Sequence, residues 1–108
     1  MSTGPDSDRI FKALADHRRR AILDELKEEP KTTGMLCGIF PELHRCTVMQ
    51  HLGVLEEAEL IVFERRGRER WNHLNAMPIK RIHDRWIGDY AKHAVARIDT
   101  LKRALEKN

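Results

Sequence analysis

A mainly α fold with a small β-hairpin is what this sequence predicts, on three observations. Apolar residues recur at helical spacing over most of the 108-residue chain. In one stretch past the middle the period shortens to two on either side of a glycine. Aromatic residues are only 6% of the chain, too few for a large all-β domain.

The elements follow in order. Residues 1–6, in the polar opening MSTGPDSD, are expected to form a disordered tail, with residues 7–108 as a single domain. From Ser7 a first helix carries Ile10, Phe11 and Leu14 on one face. A second follows with Ile22, Leu23 and Leu26 at helical spacing, Asp16 as N-cap and Pro30 as its stop. Thr32 or Thr33 can cap a third, with apolar Met35, Leu36, Ile39 and Phe40; Gly34 and Gly38 weaken it and Pro41 ends it. In RCTVMQHLGVLEEAEL, residues 45–60, Val48, Leu52 and Leu55 form one buried stripe of a fourth helix. Ile61 and Phe63 then alternate with other residues, Gly67 marks a turn, and a second strand resumes around 70–74. The last helix is expected over about 78–106, opening on Pro78. Its stripe of Ile79, Ile82, Trp86, Tyr90, Ala94, Ile98, Leu101 and Leu105 would run roughly 40 Å at ~1.5 Å per residue. A domain of this size has a radius of gyration near ~13 Å, so the stripe outruns its own core. A second copy of the chain is the simplest cover. The short join around PELH makes helices three and four a helix-turn-helix, and the hairpin behind it a wing. The expected architecture is thus a winged helix-turn-helix with a long C-terminal dimerisation helix.

Charge is segregated along this frame. The net charge is only +3, but residues 65–70 hold four arginines and one acid, and residues 24–29 hold four acids and one lysine. The fourth helix has no acid in its first half and gathers Glu56, Glu57 and Glu59 at its far end. A helix N-terminus carries partial positive charge, so an acid-free leading half suits the polyanionic groove of double-stranded DNA. Arg45 can donate two bonds to guanine, Gln50 can pair with adenine, and Met49 can touch a thymine methyl; Thr47 and His51 can reach bases or phosphates. Arg65, Arg66, Arg68 and Arg70 around Gly67 suit phosphates or a minor groove.

Three segments carry a resemblance to a known family. FKALADHRRRAILDEL, TVMQHLGVLEEAELI and RRGRERWNHLN resemble the opening helices, recognition helix and wing of the ArsR/SmtB winged-helix regulators. The resemblance covers roughly residues 8–76. It implies a dimeric bacterial transcription regulator, most often a repressor of its own operon. It also implies that Arg45, Thr47, Val48, Met49, Gln50 and His51 lie on or beside the DNA-reading helix, with Val48 and His51 serving packing as well. The chain departs from the pattern in three places. His17 replaces a proline; His44 stands where Ser or Asp usually caps; Glu59 stands where a glycine ends the helix.

The family's usual metal sites are missing from the sequence. Cys37 has Met35 and Ile39 two residues to either side, in place of a second cysteine. His83 is preceded at two by Arg81, and His93 with Ala96 and Arg97 does not complete the ligand spacing of the last helix. No metal and no cofactor is expected. Cys37 and Cys46 straddle the turn and are a candidate redox switch, which would make the protein a thiol-based sensor of oxidant, persulfide or arsenite. No serine is paired with a base and no phosphate-cradling loop is present, so an enzyme is not expected. No apolar run approaches the ~18 residues of a membrane span. The reading is therefore a cytoplasmic, homodimeric DNA-binding autorepressor on an inverted-repeat operator. The dimer would be held by Ile10, Phe11, Ile82, Trp86, Tyr90, Ile98 and Leu101. A winged-helix module that docks protein instead of DNA is the other class; its binding would lack a steep salt dependence.

Overall fold

A computed structural model describes residues 5–107, apart from the side chains of residues 5, 6, 89 and 90. Residues 1–4 of the expected tail, and Tyr90 as an interface side chain, lie outside what is described. The elements are α1 (Pro5–Leu14), α2 (His17–Glu28), β1 (Lys31–Thr32), α3 (Thr33–Ile39), α4 (Arg45–Glu57), β2 (Ile61–Arg66), β3 (Glu69–Leu74), α5 (Met77–Trp86) and α6 (Gly88–Glu106). The described residues divide after Pro78 into two compact units.

In the first unit the core is built from Ala13, Ile22, Leu23, Leu26, Leu36, Val48, Leu52, Leu55, Ala58, Leu60 and Ile61. Each fully buried aliphatic side chain contributes ~1.5–3 kcal/mol, so the stripes of α2 and α4 fix those helices face to face. Their shared corner with α1 is polar. Asp16 accepts from the Arg18 N–H at 2.8 Å and from the Arg18 guanidinium at 3.0 Å, capping α2 as its sequence position predicts. These bonds from Arg18 hold the Asp16 carboxyl well below the usual carboxylate range. The next two arginines turn back to cap α1. Arg19 donates to the carbonyls of Ala13 and Lys12 at 2.8 and 2.9 Å, and Arg20 to that of Leu14 at 2.6 Å. Those are carbonyls the helix itself cannot satisfy.

The sheet has three strands in the order β1-β3-β2, one more than the hairpin expected from sequence. Two residues, Lys31 and Thr32, pair with Asn72 and Trp71, a run too short to show a period. Thr32 also caps α3, its hydroxyl accepting from the Met35 N–H at 3.1 Å. In the wing, Arg66 pairs with Glu69 across a two-residue turn. Gly67 has φ 63° and Arg68 a negative φ, the sign pattern of a type II′ turn, which needs glycine first.

The last helix is not continuous. It breaks at Ile87 and Gly88, where Gly88 takes φ 43° in the left-handed region, which a residue without a Cβ adopts freely. Hydrogen bonds from the Ile87 N–H to His83 and from the Ala91 N–H to Ile87 span the break. In α6, Val95, Ile98, Leu101 and Leu105 are each more than half exposed.

The exit of α4 is a Schellman motif closed by the wrong residue. The Leu60 N–H reaches the Leu55 carbonyl and the Glu59 N–H that of Glu56, both at 2.9 Å. This puts Glu59 at φ 60°, where a Cβ is strained. Asn75 holds the turn by donating to the Glu59 carbonyl at 2.8 Å. Because that bond is to the backbone, it survives substitution. Glu59→Gly is expected to raise stability by about 1 kcal/mol, measured as the midpoint of urea unfolding; an unchanged or lowered midpoint would show the turn to be relaxed.

Candidate nucleic-acid interface

The buried face of α4 decides what its other faces can do. Val48, His51, Leu52 and Leu55 are buried. At about 100° per residue, Arg45, Met49 and Glu56 then share one flank. Cys46, Gln50 and Glu57 point away from the core, and Thr47 lies on the opposite flank with Val54. Arg45, Met49 and Gln50 are exposed, while Thr47 is half-buried.

The Arg45 flank faces the wing. Arg45 and Met49 line one cleft of about 240 Å³ with Arg65, Arg68, Glu69 and Arg70 of the wing and with Thr32, Thr33 and Gly34 at the start of α3. The guanidiniums of Arg45, Arg65 and Arg68 make no hydrogen bond or ion pair among the described residues. Three bare cations therefore meet around a groove whose one acid is Glu69. The Thr32–Gly34 wall was not anticipated, because the sequence signal for it was the unread strand β1.

The other expected contacts are differently employed. Arg66 lies on the face of the sheet opposite Arg65. It pairs with Glu64 at 2.5 Å, and its guanidinium sits 5.1 Å above the Trp71 ring. His73 and Arg66 bonds hold the Glu64 carboxyl below its ordinary range. Arg70 lines the cleft, but its side chain is only 14% exposed and is bonded to Glu56 at 3.1 Å. His51 is buried and leaves the reading face altogether. Its Nδ1 lies 3.3 Å from Arg19 Nη1. Arginine has no acceptor, so Nδ1 accepts and the proton sits on Nε2, which has no partner among the described residues. Alternating polar residues around an arginine-rich turn do not tell which side of the sheet each takes.

His44 caps α4 in place of the usual Ser or Asp: its Nδ1 accepts from the Cys46 N–H at 3.1 Å. The departure from the family pattern at this position therefore still leaves α4 with a side-chain cap. Cys46 is exposed in the first turn of α4, Cys37 is half-buried, and both are free thiols. No three His, Cys, Asp or Glu side chains converge as metal ligands among the described residues. Of the expected interface residues, Ile10 packs against the core, Ile82 is half-buried, and Phe11, Ile98 and Leu101 are exposed. Trp86 is exposed with the Arg85 guanidinium 5.9 Å from its ring. No described helix is long and apolar enough to cross a membrane.

Comparison with known proteins adds the relatives. The chain is 36% identical over 88 residues to the HTH-type transcriptional regulator YuzN of Bacillus subtilis, covering 76% of this chain and 96% of that one. It is 36% identical over 66 residues to the transcriptional repressor SdpR of the same organism, covering 61% and 72%. The crystal structure of an ArsR family transcriptional regulator superposes with a TM-score of 0.67 at 26% identity, over 91% of this chain and 97% of that chain. No protein-family model matches.

The buried histidine gives the unit a pH dependence. Burial holds the His51 imidazole below its ordinary range, and the charges of Arg18 and Arg19 add to this against the opposing Asp16 carboxylate. An unfolded histidine takes its proton near pH ~6.5. Above that both states are neutral; below it the unfolded chain binds a proton that the fold resists. Stability is thus expected to be full above this pH and to fall as pH drops from about 6.5. His51→Gln, which can still accept from Arg19, should flatten that part of the curve in urea titrations between pH 8 and 5.5. Equal slopes in the two proteins would contradict the assignment.

Proposed function

Because the chain belongs to the ArsR family of helix-turn-helix transcriptional regulators and is a DNA-binding regulator, we propose that it is a homodimeric autorepressor of an inverted-repeat operator, read by the α4–wing cleft. The observation that carries this is the convergence of three unpaired guanidiniums, from Arg45, Arg65 and Arg68, on one groove beside the acid-free first turn of α4. Phosphates supply the charge such a groove lacks, and their counterions are released on binding. Arg45, Met49 and Gln50 are the base readers; Arg65 and Arg68 are the phosphate clamps. Thr47 and Arg66, on other faces, are not assigned contacts.

The dimer is argued from α6. Four large aliphatic side chains at spacings of three and four residues stand in solvent, and pairing with the same helix of a second copy removes them from water. Two-fold symmetry then sets two reading helices on successive major grooves, roughly 34 Å apart, so the operator is an inverted repeat. The working compartment is the cytoplasm, where the DNA is.

Gel shifts on a duplex from the chain's own upstream region test the reading. Wild-type affinity should fall steeply with salt. Arg45→Ala should relax sequence preference by about 1–3 kcal/mol at one base pair. Arg68→Ala should weaken binding to every sequence and flatten the salt slope by about 0.9. The same pattern from both variants would undo the division into base reader and clamp. Leu101→Asp should convert a dimer to a monomer in sedimentation; a wild-type monomer at micromolar concentration would contradict the assembly.

A further inference from the structure

Glu56 stands on the same flank of α4 as Arg45 and Met49, three turns further along, and there it meets the wing. Arg70 spans the gap. Its Nη2 donates to Glu56 at 3.1 Å, its Nε donates to the Asn72 side-chain oxygen at 3.1 Å, and its guanidinium stacks 4.0 Å from the Phe63 ring. Asn72 is fully buried and donates in turn to the Lys31 carbonyl and the Thr33 hydroxyl, each at 3.2 Å. Arg70 pairs across the hairpin with Arg65, so this cross-link holds the wing one residue pair below its tip. A two-stranded ribbon is marginal without packing, and beyond the core residue Ile61 the strand β2 is exposed throughout.

We propose that Glu56 and Arg70 are positioning residues for DNA recognition: their ion pair, braced by Phe63 and Asn72, sets the wing against α4 so that Arg65 and Arg68 converge with Arg45. The proposal rests on the DNA-binding reading above. It assigns a task to an acid that a plain charge argument makes a liability. It also removes Arg70 from the phosphate contacts, since its Nε, one Nη and one face are already occupied. The Glu56 side chain is 43% exposed against 14% for Arg70, and Glu56→Gln leaves Arg70 a neutral acceptor in place of the carboxylate. Breaking the pair therefore loosens the wing without unfolding the unit.

The test is sign-reversing. Glu57, one residue on, is exposed and makes no ion pair among the described residues. If charge alone mattered, Glu56→Gln and Glu57→Gln would each tighten binding to the upstream duplex. The positioning role predicts that Glu57→Gln binds at least as tightly as wild type while Glu56→Gln binds about tenfold more weakly, within the coupling range of contacting charged residues. Arg70→Ala should weaken binding to a similar degree with the salt slope unchanged, unlike Arg68→Ala. The charge-swapped double variant, Glu56→Arg with Arg70→Glu, should recover part of the loss. Glu56→Gln binding as tightly as wild type or better, or Arg70→Ala flattening the slope as Arg68→Ala does, overturns the positioning role alone. A wild-type chain with no salt-sensitive hold on the duplex overturns the DNA reading and this role with it. A cooperative urea transition retained in each single variant, well above the assay conditions, shows that the losses are not unfolding.

Discussion

The first unit depends on α4 being held by one face only. Val48, Leu52 and Leu55 are fully buried, and His51 joins them by accepting from Arg19. That arginine also closes the end of α1, and its neighbour Arg18 is paired with the cap of α2. A single polar corner thus ties three helices. With the helix clamped along this stripe its rotation is fixed, and Arg45, Met49 and Gln50 have no direction left but outward. The exposed face of α4 is a consequence of the core.

Charge is then sorted by partner. The acids at the end of α4 are not a passive surplus, for Glu56 fastens the wing. Of the four wing arginines, two are spent on structure: Arg66 on Glu64 and Trp71, Arg70 on Glu56, Asn72 and Phe63. Two remain bare. The strand register decides which, because Arg65 and Arg70 share one face while Arg66 takes the other and Arg68 sits in the turn.

What the sequence disclosed was whatever has a period or a local partner. The stripes of α2 and α4, the cap at Asp16 and the turn at Gly67 each follow from neighbours within a few residues. The strain at Glu59 was legible too, as a side chain where the helix exit needs glycine. What stayed hidden needed contacts distant in sequence or exceptions to residue type. The strand β1 is two residues long and exists through pairing with β3, some forty positions on. The helix break at Gly88 lies inside an unbroken apolar stripe. Histidine is an unusual cap, so the role of His44 required seeing its ring nitrogen against the Cys46 N–H. For the candidate site, α4 and the tip of the wing were legible as elements, but not which arginines were already engaged.

The central claim is that α4 and the wing tip act on DNA as one surface. Backbone amide shifts of the isotope-labelled full chain, titrated with the upstream duplex at two salt concentrations, test it most directly. The account predicts shifts gathered at residues 32–34, 45–50 and 65–69, shrinking together as salt rises, with the acidic stretch 24–29 unmoved. Shifts confined to one of the first two helices, or wing and α4 responding at different DNA concentrations, would contradict it.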